Sequence, residues 1–306
     1  MATSPSPAPA LLRSEPLLTH PKKRLGWNWP PYLLLTLLIS ALYYKIVANL
    51  VINWYTDADF SHGFLIVPFA AFLLWQKRGV LRNTPIRQRW AGIWLVAAAV
   101  LFLLLGVYGA EIFLSRVSLV MLLAGVVWTL LGEAMLREVR FALLVLLLAI
   151  PIPAVIFNQL TFPLQLLASR LAAAVLPVFG VPVLRDGNVI QLPALQLEVA
   201  EACSGIRSLM SLFAVAVLYG YFLEHSTWRR TLLALASIPI AVVANATRIV
   251  GTGLCVQYWN PDKAVGFFHE FSGWLMFLVS LICLYLLHGL IRLTTPAARP
   301  AASEDQ

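Results

Sequence analysis

The stretch LLALASIPIAVVANATRIV, Leu232–Val250, runs for nineteen residues with one charge, Arg248, close to its end. As a helix it would be about 28 Å long, against roughly 30 Å for the hydrocarbon core of a bilayer. A soluble protein with such a segment would surround it with charged surface. Here 60% of the 306 residues are hydrophobic and only 12% are charged, about half the charged share of a soluble domain. A bilayer is the solvent that tolerates this much apolar surface.

Other segments repeat the pattern: Pro31–Val51, Phe60–Trp75, Ala91–Gly109, Leu114–Leu131, Phe141–Ile156, Ile206–Phe222 and Phe271–Ile291. The expected fold is an all-α polytopic membrane protein of about eight transmembrane helices, residues 29–292. It lies between a disordered cytoplasmic tail, residues 1–28, and a cytoplasmic C-terminal tail, residues 293–306. The opening stretch is rich in Pro, Ala and Ser and lacks the apolar core of a cleaved signal peptide.

The formal net charge is +8, from 22 Lys+Arg against 14 Asp+Glu. These cations sit in short stretches between apolar runs, which reads as membrane orientation and not as a nucleic-acid footprint. Lys22, Lys23 and Arg24, then Lys77 to Arg89, then Arg137 and Arg140, then Arg229 and Arg230 all fall on one side. The positive-inside rule makes that side cytoplasmic. Leu160–Leu176 is apolar enough to cross, but a crossing there would invert every later loop. It is therefore expected at the outer interface or as a re-entrant piece.

Between Gly180 and Cys203 the pattern changes. Asp186-Gly187 stands between β-type residues, and Leu195–Val199 alternates apolar and polar. A small extracytoplasmic β-hairpin is expected there.

Polar groups inside a membrane protein are functional candidates by default. The topology puts Cys203 at the outer start of one span, Arg248 near the outer end of the next and His269 at the outer start of the last. A thiol at a helix N-terminus is biased toward thiolate. Arg207, one turn on, would add to that bias and Glu201 would oppose it. A small cysteine packing near a helix start gives the same local pattern. Arg248 presents a permanently charged fork of donors, suited to an oxyanion or a substrate carboxylate. Asn245 shares its face; a snorkelling arginine is the bland alternative. His269 is a general base and acid within reach of an outward thiol, or an interfacial histidine. His62, also outer-facing, is the fallback base. The three cysteines, Cys203, Cys255 and Cys283, make no metal-ligand spacing, and there is no Walker A or His-Glu-x-x-His motif. No metal or cofactor is expected.

The stretches Glu201–Leu209 (EACSGIRSL), Asn245–Ile249 (NATRI) and His269–Gly273 (HEFSG) resemble the exosortase/archaeosortase family. Ser61–Pro68 and Ile150–Pro153 support the resemblance more weakly. It implies a membrane cysteine peptidase or transpeptidase with a Cys203/Arg248/His269 site. The implied partners are secreted bacterial proteins whose C-terminal sorting tail has a Pro-Glu-Pro-like motif, a membrane span and a basic end. They often accompany exopolysaccharide production, and the expected setting is the inner membrane with the site facing the periplasm. The competing class is a transporter or lipid flippase, which would place its polar groups at the bilayer midplane. A non-catalytic envelope scaffold would leave the Cys/Arg/His coincidence without a role.

Overall fold

A computed structural model describes residues 29–198, 205–259 and 267–294, and the side chains of these except 29, 58, 205–207, 267–270 and 294. Ten α-helices are described. The first, α1 (Trp29–Thr56), carries the boundary between two compact units, Met1–Tyr43 and Tyr44–Gln306. In the first unit, the described part of α1 is apolar helix. The architecture below is that of the second unit.

Its remaining helices are α2 (Gly63–Gln76), α3 (Arg78–Asn83), α4 (Gly92–Tyr108), α5 (Ile112–Leu131), α6 (Glu133–Leu147), α7 (Ala154–Val175), α8 (Gly205–Leu223), α9 (Thr227–Tyr258) and α10 (Phe267–Thr294). Among the described residues, five helical segments are long and apolar enough to cross a membrane: Pro30–Thr56, Ile112–Leu131, Ala154–Phe179, Thr227–Tyr258 and Phe271–Leu293. Shorter apolar helices cover Gly63–Gln76, Gly92–Tyr108 and Ser208–Leu223. The chain is an all-α polytopic membrane protein.

Helix directions follow from side-chain contacts. α2 and α6 are antiparallel: the Lys77 ammonium meets the Glu138 carboxylate at 3.0 Å near one end, and His62 Nε2 lies 3.1 Å from the Leu148 carbonyl at the other. Phe141 of α6 stacks on Tyr221 of α8, which in turn lies under the Arg230 guanidinium. One end of the bundle is therefore basic, with Lys77, Arg229, Arg230 and Arg292. α4 and α5 form a tight hairpin because small residues line their seam; Gly106 faces Ser115 and Gly125 faces Val96. Without a hydrophobic drive between helices in lipid, such close backbone approach supplies the packing.

The expected span Phe141–Ile156 is not one helix. α6 ends at Leu147, and Leu148–Pro153 is non-helical before α7 starts. Pro151 and Pro153 explain the break, since each lacks an amide donor and biases its predecessor away from helix. α7 then rises parallel to α9. Thr161 and Gln165 lie by Ala241 and Asn245, Leu176 by Gly253, and the Phe179 carbonyl by the Tyr258 hydroxyl at 2.6 Å. α6 and α7 ascend in the same sense, so Leu160–Leu176 reverses nothing and belongs to an upright helix.

At the end opposite the basic one sits a three-stranded antiparallel sheet, where a two-stranded hairpin was expected. β1 (Leu184–Asp186), β2 (Val189–Gln191) and β3 (Gln196–Glu198) pair in that order. Gly187, with φ 61°, opens the two-residue turn between β1 and β2, as a type II′ turn requires. Ile190 and Leu197 bury one face of the sheet against Ala172, Leu176 and Ile249. This small core anchors the part of α9 that rises above the rest. With 32 residues, α9 is about 48 Å long, well beyond the hydrocarbon thickness.

Candidate active site

Arg248 lies 21 residues into α9, about 31 Å from its start. That is where the hydrocarbon would end if α9 entered it at Thr227. The side chain is only 8% exposed. Its Nε donates to Ser272 Oγ at 3.3 Å. Its guanidinium lies flat against Gly273: a Cβ at 273 would stand 3.3 Å from Cζ and Nη2. Glycine is thus what lets α10 approach the cation so closely.

The neighbouring helices start at this same depth. α8 is antiparallel to α9, with Gly220 by Arg230 and Leu209 by Asn245. Its first residue, Gly205, therefore stands level with Arg248. α10 is also antiparallel, and Arg248 meets it at its sixth and seventh residues. Three helices thus meet around Arg248: the start of α8, the upper part of α9 and the first two turns of α10.

Cys203 and Glu201 lie outside the described residues. Cys203 is two positions before α8 begins. Arg207 and His269 fall in the first turns of α8 and α10, and their side chains lie outside the described ones. His269 is one turn ahead of Ser272 and Gly273 on α10, so its place in the helix leads into the contact with Arg248.

Asn245 is one turn nearer the basic end than Arg248 and is buried. Its Oδ1 has no hydrogen-bond partner. It borders a cavity of about 20 Å³ lined by Thr161, Leu164, Gln165, Leu209, Ala241 and Val242, room for about one water molecule. On another side of α9, a groove of about 380 Å³ runs against α10. Pro239, Val243, Thr247, Met276, Val279 and Cys283 are among the residues lining it, and it leads up to the position of Arg248.

His62 stands apart from this convergence. Its ring is tied to the Leu148 carbonyl, and beside it Trp54 Nε1 donates to the Ala149 carbonyl at 2.8 Å. Both bonds satisfy acceptors freed by the break after α6. Its ring also meets the Asp59 backbone, and no described contact joins it to Arg248. The Ser61-His62-Gly63 segment thus has a structural role that its sequence did not reveal.

Sequence reasoning also passed over the far end of the same three helices. Glu224, in the turn between α8 and α9, is 4% exposed. It accepts from His288 Nε2 at 2.7 Å and pairs with Arg229 and Arg292 at 3.3 Å. Arg230 Nε donates to its backbone carbonyl at 2.6 Å, and Tyr219 reaches the other nitrogen of His288 at 2.7 Å. Burial works to raise the Glu224 pKa, but the hydrogen bonds from His288 and Arg229 outweigh it and hold the carboxyl below its ordinary value. His288 lies at the opposite end from Arg248, where its bonds to Glu224 and Tyr219 clasp the helices that build the site.

Residues 54–286 match the family model described as Transmembrane exosortase (Exosortase_EpsH). The chain belongs to the transmembrane exosortase family. That makes it a membrane enzyme of protein sorting, and the match takes in Cys203, Arg248 and His269. No curated protein and no solved structure matches the chain.

Proposed function

We propose that this exosortase is a membrane-embedded cysteine peptidase or transpeptidase that removes the C-terminal sorting tail of secreted proteins. The substrates would carry a Pro-Glu-Pro-type motif ahead of an apolar tail. One observation carries the reading: a buried arginine lies level with the starts of α8 and α10, where Cys203 and His269 stand in the sequence. The apolar groove between α9 and α10 supports it. A tail helix lying there would deliver its polar end to Arg248.

The chemistry follows from the residue types. The Cys203 thiolate attacks the scissile carbonyl, and Arg248 stabilises the tetrahedral oxyanion. His269 then protonates the departing amine as the C–N bond breaks and leaves a thioester. An amine of an envelope acceptor attacks that thioester and regenerates the thiolate; water at the same step gives hydrolysis. Arg207 favours the thiolate and Asn245 orients the α9 face. The enzyme resides in the bacterial inner membrane with this end periplasmic and both termini cytoplasmic.

Cys203→Ala tests the reading. With a tailed substrate co-expressed, the variant inserts at wild-type levels and leaves the substrate at full length. In intact spheroplasts a membrane-impermeant maleimide labels the wild type at Cys203. Processing by Cys203→Ala, or labelling that needs permeabilised membranes, would refute it.

A further inference from the structure

Arg116 plays no part in the site above. It is the fifth residue of α5 and only 4% exposed. With the Asn53 amide turned so that its nitrogen donates to the Asn49 carbonyl at 3.0 Å, its oxygen accepts from Arg116 Nη2 at 3.1 Å. Nε is buried with no hydrogen-bond partner. None of the ion pairs among the described residues includes it. Glu111, at the N-cap of α5, makes no capping hydrogen bond and is exposed.

A guanidinium cannot shed its proton, so burial leaves its charge in place. A buried charge is stable only when it is paired, and a neutral amide is a weak counterpart. The start of α5 adds to the imbalance, because a helix N-terminus is itself a site of positive potential. Both features call for an anion.

The place suggests which anion. Arg116 is four residues past the start of α5, and Asn53 is three before the end of α1, about 6 Å and 4.5 Å of helix. That is headgroup depth at the sheet end of the bundle. Asn49 is exposed and Asn53 half-buried, so this edge opens sideways to the bilayer. Beside it Ile52 and Tyr55 offer apolar surface, 55% and 85% exposed. Charge compensation is needed whenever the protein is folded, so the occupant must be resident. A substrate carboxylate is absent between turnovers, whereas lipid is always present.

We infer that Arg116 and Asn53 form a binding site for the phosphate of a membrane phospholipid between α1 and α5. The guanidinium suits phosphate oxygens in a two-pronged bond, and the acyl chains would lie along α1. The site is separate from the peptidase reading and does not depend on it.

Native mass spectrometry of the full chain in maltoside, titrated with phosphatidylglycerol, tests this. Wild type retains one tightly held lipid. Arg116→Lys, which keeps the charge, retains it more weakly. Arg116→Gln, which keeps a polar partner for Asn53 without the charge, binds at least tenfold less. Equal retention by Arg116→Gln would overturn the site. The wild type alone gives a second reading if that variant fails to fold. Phosphatidylglycerol raises its unfolding temperature, whereas a phosphate-free galactolipid and inorganic phosphate do not. A galactolipid that stabilises as well would show that acyl chains suffice, and free phosphate acting alone would show that no lipid is needed. Either result rejects the proposal.

Discussion

The clasp around Glu224 permits a quantitative test of what holds the bundle together. Arg229 is the partner that matters most, because its side chain is only 14% exposed and 3.3 Å from the carboxylate. At an effective dielectric of about 20, two unit charges at that distance attract by about 5 kcal/mol. Arg292 is 58% exposed, so solvent screens it to no more than about 1 kcal/mol. Removing the carboxylate strands the Arg229 charge and unpairs His288, a loss of about 3–5 kcal/mol for a buried pair broken on one side. Glu224→Ala should therefore unfold in detergent roughly 6–10 °C below wild type, at about 2 °C per kcal/mol. The dependence on pH has a definite sign. The carboxyl is held below its ordinary value of 4.5 in the folded state. Its contribution is complete above about pH 4.5 and disappears as the pH falls through the lowered value. Circular dichroism melts should show a constant gap between wild type and Glu224→Ala from pH 6 to 8, closing only in acid below that. A gap under 2 °C at neutral pH, or one that persists unchanged in acid, would refute this account.

Two further outcomes concern the site. Arg248→Lys keeps the charge but loses the planar fork and the Nε bond to Ser272; processing should fall by about two to three orders of magnitude, as for loss of an oxyanion donor. Wild-type turnover of a tailed substrate by that variant would reduce the role of Arg248 to charge alone. Gly273→Ala puts a methyl group 3.3 Å from the guanidinium, so Arg248 must shift by a few tenths of an ångström. Folded yield should hold while substrate processing drops, and Gly273→Val should abolish processing. Unchanged activity in both would show that the close approach of α10 is not needed.

The membrane class, the apolar spans and the turn at Gly187 were legible in the sequence because they are local. Hydrophobic runs of fixed length and a glycine at a tight turn report their environment without reference to distant residues. Counting spans along the sequence puts Cys203, Arg248 and His269 at one expected depth; of these the structure describes the Arg248 side chain, level with the starts of α8 and α10. Counting could not show what Arg248 touches within that layer. Ser272 and Gly273 stood in a quoted motif without an assigned role, and only the packing of α10 on α9 gave them one.

Where the sequence misled, the cause was competition between signals of similar strength. Phe141–Ile156 reads as one span because its apolar run is continuous, yet two prolines cut it, and carbonyls freed at the cut are held by His62 and Trp54 from other elements. His62 accordingly looked like a spare base. Glu224 and His288 lie 64 residues apart and have no shared motif. Sequence alone determined that this chain lives in a bilayer and which segments are apolar enough to cross it, because burial in lipid is a property of each segment separately. Which polar groups meet was decided by tertiary structure, because a charge in a low-dielectric interior is tolerable only beside partners that the fold brings in from afar.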